Sequence, residues 1–172
     1  RRPGEGLRLV YAGKFARDWR TVEMLELPAL LAGLGIPAEL WVVGDKFHHE
    51  PSDPGWNARM QQRLASASDD PASGVTWFGG LPRAQALALV RQADVGLSWR
   101  TRRLDAGVEL STKALEYSAA GVPPLIGHTV QHARLWGADY PLLVDTDDPL
   151  VVAHALRDAA PTIDALRDRV RR

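Results

Sequence analysis

Short apolar runs and helical patterns alternate from one end of this chain to the other, and that alternation limits its fold more than any other feature. Leu7–Gly13, Ala38–Gly44, Val75–Phe78, Val95–Trp99, Pro124–Ile126 and Leu142–Val144 read as six strands. Between them, Arg20–Leu34 has apolar residues at helical spacing (Met24, Leu27, Leu31, Leu34), with a kink or a late start expected at Pro28. Further helices are predicted at about 57–67, from Pro82 to about Gln92, from Ser111, over Val130–Trp136, over Asp148–Ala159 and over Thr162–Val170. The charged stretch Thr101–Val108 reads as a loop. Strict alternation predicts parallel strands joined by right-handed crossovers, which places helices on both faces of the sheet. Strands covered on both faces should be almost wholly apolar, and Leu-Trp-Val-Val and Pro-Leu-Ile are. The expected fold is a doubly wound α/β domain, and 172 residues fit one such domain without disulfide or metal.

In such sheets ligands bind beyond the carboxyl ends of the strands, where the chain changes direction. Lysine occurs only at Lys14, Lys46 and Lys113, each just after a predicted strand or at a predicted helix start, and so along that edge. The net charge is zero, which removes the electrostatic case for a nucleic-acid partner. There is no cysteine, hence no disulfide framework and no thiolate chemistry. With no apolar run of membrane-spanning length and no leader pattern, the expected location is cytoplasmic. The opening Arg-Arg-Pro-Gly, without methionine and almost directly before a strand, reads as a cut from a longer protein.

The segment from Glu109 to Pro123 is the most informative about chemistry. Ser111 is placed to cap a helix, Thr112 and Lys113 lie in its first turn, and Gly121 closes it before Val122-Pro123. A helix start with an ammonium suits a phosphate or diphosphate. Glu116, three residues on, shares that face and can accept hydrogen bonds from ribose hydroxyls. The competing reading is an amphipathic helix with an internal Lys113–Glu116 pair. At the end of the first strand, Lys14, Arg17 and Arg20 follow Gly13 where a dinucleotide-binding chain would show Gly-x-Gly-x-x-Gly. Cations there would serve a diphosphate directly, or simply decorate a solvated helix start. His48-His49-Glu50, and His128 with His132, lack a third ligand in a recognisable spacing, so no metal is expected. Ser111 has no nucleophile elbow around it, which leaves capping as its role.

Gly13-Lys14-Phe15, Leu40-Trp-Val-Val-Gly-Asp45, Val75-Thr-Trp-Phe-Gly79, Ala93-Asp-Val-Gly-Leu-Ser98 and Ser111-Thr-Lys-Ala-Leu-Glu-Tyr-Ser-Ala-Ala-Gly-Val-Pro123 follow one another in this order. Together they make the chain resemble, over nearly its whole length, the carboxy-terminal domain of a GT-B glycosyltransferase of the family 4 type. The resemblance implies a Rossmann-like half of a GT-B fold that binds a nucleotide-sugar donor. It implies sugar transfer with retention, no cofactor and no essential metal. The acceptor would bind to an amino-terminal domain outside this chain, and the whole protein would associate peripherally with membranes. A non-catalytic nucleotide-sugar-binding module and a GT-B-like epimerase share the same pattern. By resemblance, Lys14 and Arg20 hold the donor diphosphate, with Gly13 before them. Ser111, Thr112 and Lys113 meet the phosphates, Glu116 takes the ribose, and Phe78 lies near the base. The family's sugar-facing acid falls on Val108, with Glu109 beside it and Asp105 further upstream, so Glu109 is the candidate for that role.

Overall fold

A computed structural model describes residues 6–107 and 110–171. Its six strands are β1 (Leu7–Ala12), β2 (Ala38–Val43), β3 (Val75–Trp77), β4 (Val95–Ser98), β5 (Pro124–Gly127) and β6 (Leu143–Val144). They form one sheet in the order β3-β2-β1-β4-β5-β6, and every pairing is parallel. The helices are α1 (Leu27–Gly33), α2 (Trp56–Asp69), α3 (Arg83–Gln92), α4 (Arg102–Asp105), α5 (Thr112–Ala119), α6 (Val130–Trp136), α7 (Pro149–Ala159) and α8 (Ile163–Val170). The order of strands reverses between β1 and β4, which makes their carboxyl ends the switch point of the sheet.

Alternate residues of each strand point to opposite faces. Leu7, Leu9 and Tyr11 of β1, with Leu40, Val42, Val95 and Leu97, join Leu27, Leu31, Met60, Leu64, Val152 and Leu156 in the larger core. Val10 faces the other way, with Val90, Tyr117 and Val122, and Trp41 packs against them. The doubly wound arrangement is therefore the one the alternation predicts, and its two-sided burial explains why the strands are so apolar.

Some elements differ from expectation in bounds or kind. Over Arg20–Leu34 the late start expected at Pro28 is the one found: a 3-10 turn at Glu23–Glu26 leads into α1 at Leu27. Pro28 falls in the first turn of α1, where its missing N–H costs nothing. The predicted loop after β4 contains α4, whose first turn is closed by the Thr101 hydroxyl accepting from Leu104 N–H at 3.3 Å. β3 stops at Trp77 rather than Phe78, and α8 starts at Ile163, after a 3-10 turn at Ala160–Thr162 that holds Pro161.

Helix α5 lies against the sheet at Gly96. A Cβ placed there would come within 2.4 Å of two ring carbons of Tyr117, a side chain only 2% exposed. The ring has no room to retreat, so Gly96→Ala is expected to cost about 1–3 kcal/mol of stability, as overpacked cores do. Urea unfolding followed by circular dichroism measures this; an unchanged midpoint would mean that α5 is free to shift.

Candidate functional site

β1 pairs with β2 along its whole length but with β4 only at Leu9 and Val10. Past that point β1 and β4 separate. In this part of β1 the odd-numbered backbone groups serve β2, as Gly13 N–H does in donating to Val43 O at 2.9 Å. The N–H and C=O of Ala12 therefore point at the gap. A buried peptide group left without partners costs about 1–3 kcal/mol. Helix α5 supplies both partners. Ala12 N–H donates to the Tyr117 hydroxyl at 3.0 Å, and Lys113 Nζ donates to Ala12 O at 3.2 Å. The two side chains are four residues apart, one turn of the same helical face.

Lys113 reaches that carbonyl by crossing Gly13, where a Cβ would sit 2.3 Å from Nζ. Its ammonium lies 4.8 Å from the ring centre of Tyr11 and 5.6 Å from that of Trp19. Burial in this setting lowers the Lys113 pKa to about 8, and the nearby Glu116 charge opposes the fall. An ammonium has three N–H donors, and the carbonyl takes one. The ammonium stands beside a cleft of about 310 Å³ lined by Tyr11, Trp19, Trp99, Arg100, Ser111 and Lys113. The start of α5 opens into the same cleft. Ser111 caps it, accepting from Ala114 N–H at 3.2 Å while its Oγ lies 2.5 Å from Ser98 Oγ. A cation and a capped helix start converging beside a glycine make a site for an anionic group.

The other expected residues divide into those near this cleft and those apart from it. Thr112 lines it. Lys14 is exposed, and its backbone carbonyl accepts from the Tyr11 hydroxyl. Arg20, in a left-handed conformation (φ 50°), is tied between Glu23 at 2.8 Å and Asp147 at 2.6 Å. Its guanidinium carbon lies 5.9 Å from the centre of Trp99, at the cleft wall. Glu116 is exposed on another hollow of about 370 Å³ between α3 and α5, with Arg83, Arg91, Tyr117 and Ala12. Ala12 lines that hollow and binds Lys113 of the first, so the two adjoin there. Phe78 is 37% exposed at the end of β3, edge-on to Trp41. Glu109 and Val108 lie outside the described residues. Asp105 bonds Arg100 at 2.6 Å in a pair barely open to solvent. Burial raises the Asp105 pKa, against the pull of Arg100.

Tyr117 and Trp19 escaped the sequence reading as site residues, and His132 was considered only with His128 as a metal ligand. Tyr117 sits one turn after Lys113, and that spacing was its only signal; nothing in the sequence brings Trp19 or His132 to α5. Among the described residues no group of three metal-binding side chains is found. A hollow of about 680 Å³ lies at the opposite, amino ends of the strands, lined by Arg8, Glu39, Asp94 and Arg167. There Arg8 pairs with Glu39 and Arg167 with Asp94, and Asp164 adds a further carboxylate, so the hollow offers an anion no surplus of positive charge. Among the described residues no helix is long and apolar enough to cross a membrane.

No protein-family model matches the chain, and no curated protein matches it in sequence. Solved structures do match it in fold. The trehalose-6-phosphate phosphatase N-terminal domain of Candida albicans superposes with a TM-score of 0.68 at 15% identity, over 98% of this chain and 37% of that one. HepE of Anabaena, solved with UDP and glucose, gives 0.65 at 10% identity over 96% of this chain and 41% of its own. WaaG, a glycosyltransferase of lipopolysaccharide biosynthesis, gives 0.62 at 21% identity over 96% and 42%. The chain has the fold of a GT-B carboxy-terminal domain. It spans about two-fifths of the length of these proteins.

The depressed Lys113 pKa fixes a pH dependence. The folded value of about 8 lies below the unfolded value near 10.4, so between them the unfolded chain binds more protons and stability rises with pH. The wild type is therefore expected to gain stability relative to Lys113→Met between pH 7.5 and 9.5, measured by urea unfolding. Parallel pH profiles would contradict the burial of this ammonium.

Proposed function

We propose that this chain is the donor-binding half of a glycosyltransferase, taking a nucleoside-diphosphate sugar at the carboxyl ends of β1 and β4. The reading rests above all on Lys113, whose ammonium stands at the start of α5 and faces the cleft across Gly13. The fold shared with HepE, which was solved with UDP and glucose, supports it. The diphosphate would lie over Gly13, between Lys113 and the exposed Lys14. The nucleoside would run past Ala12 into the adjoining hollow, its ribose hydroxyls on Glu116 and its base towards Phe78. The sugar would enter the cleft between Trp19 and Trp99.

Transfer would break the bond from the anomeric carbon to the β-phosphate, with retention, and leave negative charge on the departing diphosphate. Lys113, Lys14 and the peptide dipoles of α5 would stabilise that charge where it develops. No metal or cofactor takes part in this proposal. The acceptor would be held by a second domain. A non-catalytic nucleotide-sugar-binding module is a second reading, favoured by one observation. Arg20, the other expected diphosphate cation, is engaged by Glu23 and Asp147 and would have to give up those pairs to reach a phosphate.

The test compares UDP and uridine by titration calorimetry. A hydrogen bond to a charged group is worth about 1.5–3 kcal/mol, which is roughly tenfold to a hundredfold in affinity. Lys14→Ala is expected to weaken UDP and leave uridine unchanged, because its partner is phosphate. Glu116→Gln is expected to weaken both by similar factors, since both carry the ribose. Uridine affinity unchanged by Glu116→Gln in a folded protein would remove the ribose assignment. UDP affinity untouched by Lys14→Ala would remove the diphosphate from its place over Gly13. Turnover of the donor by the full-length protein, with and without acceptor, separates transferase from binding module.

A further inference from the structure

The imidazole of His132 in α6 is 0% exposed and uses both ring nitrogens. Nδ1 lies 2.7 Å from Gly127 O, and Ser111 N–H points at Nε2 over 3.4 Å. A carbonyl can only accept and an N–H can only donate, so the bonds specify the neutral tautomer with its proton on Nδ1. Trp136 packs edge-on against the ring at 5.7 Å. Among the described residues, the charged groups facing it are Arg100, after β4, and Asp105 of α4. Asp105 lies so close to Gly127 that a Cβ there would meet its carboxylate at 1.6 Å. Burial, first of all, lowers the His132 pKa, and Arg100 adds to that; the bond to Gly127 and the charge of Asp105 work the other way.

Ser111 is the cap of α5. Its side chain is committed to Ala114 N–H and to Ser98, and His132 receives its backbone N–H. Three elements, β4, α5 and α6, are thus joined at one residue, two positions before Lys113. Protonation of Nε2 would set one N–H against another, and the ring or Ser111 would have to move. Because Lys113 is held at its far end by Ala12, a displaced Ser111 changes the angle at which the start of α5 meets the cleft.

We infer that His132 is a positioning residue: its neutral ring fixes the start of α5, so anion binding in the cleft is lost on acidification as Nε2 takes up a proton. This rests on the donor-site reading for its ligand, but the coupling of His132 to Ser111 does not.

Two measurements on the wild-type chain and its variants test it. Without ligand, the histidine ring resonances and the amides of Ser111 to Ala114 are followed by NMR from pH 8 to pH 5. The expected result is a His132 midpoint below 6.5, with the Ser111 amide moving at the same midpoint. A Ser111 amide with no inflection there overturns the inference, whether or not any nucleotide binds. Next, UDP affinity is compared at pH 7.5 and at a pH below the His132 midpoint that the NMR titration gives. His132→Gln, which can keep an acceptor towards Ser111 but does not titrate, should retain the affinity of the wild type at pH 7.5. His132→Leu should lose about fivefold, the worth of one ordinary hydrogen bond. UDP's own terminal phosphate titrates near pH 6 and affects all proteins alike. Beyond that shared loss, the wild type should fall by about a further fivefold below the His132 midpoint, and His132→Gln should not. Equal acid losses in wild type and His132→Gln overturn the inference. Absence of UDP binding at every pH, with the NMR coupling intact, would instead count against the donor-site reading and leave the role of His132 standing.

Discussion

The clamp that α5 places on Ala12 is the interaction on which the rest of this structure depends. A parallel sheet whose order reverses at β1 and β4 must open there, and opening leaves a peptide group facing no strand. Tyr117 and Lys113 occupy the positions the missing strand would have filled. The same two side chains anchor α5 to the sheet, carry its first turn to the edge of the crevice and hold an ammonium at the mouth. Gly96 admits the ring of Tyr117 and Gly13 admits the lysine. Fold and site are therefore one arrangement, and a change at either glycine acts on both.

The charges of the chain divide by residue type in a way that follows from their chemistry. Several arginines, with their planar forks, are committed to carboxylates: Arg20 to Glu23 and Asp147, Arg100 to Asp105, Arg102 to Asp145, Arg103 to Asp18. Several of these pairs tie the segment after β4 to the loops after β1 and β6. The exposed ones contribute little to stability, and Arg100–Asp105 is the pair shielded from water. Lysine is instead a point charge on a flexible stem. Lys113 has exchanged solvent for a carbonyl and two aromatic rings, and its lowered pKa records that exchange. A phosphate entering the cleft would restore what burial removed.

The alternation of apolar runs and helical patterns was enough to define the sheet, its parallel pairing and the edge at which the candidate cleft lies, because two-sided burial and the handedness of crossovers leave few other solutions. Ser111 as a cap and Lys113 in the first turn were legible for a similar reason: helix starts are governed by neighbours within four residues. The late start of α1 was one of two readings left open at Pro28, and the short α4 was not read. Each depends on a local detail, Pro28 accommodated in a first turn and Thr101 supplying a cap, that the sequence offered without deciding.

What the sequence could not determine is where side chains end. Lys113 and Glu116 sit on one helix and read equally as a ligand pair or an ion pair, yet Lys113 reaches across Gly13 to Ala12 and Glu116 opens onto the neighbouring hollow. Arg20 follows the first strand as a diphosphate cation would, but Asp147, more than a hundred positions away, takes hold of it. His132 showed only a helical spacing from His128, and its bond to Ser111 exists because α5 and α6 pack together. Local periodicity and caps are short-range and written in consecutive residues. The partners that complete a site are brought together only by the closing of the sheet, which the tertiary structure alone decides.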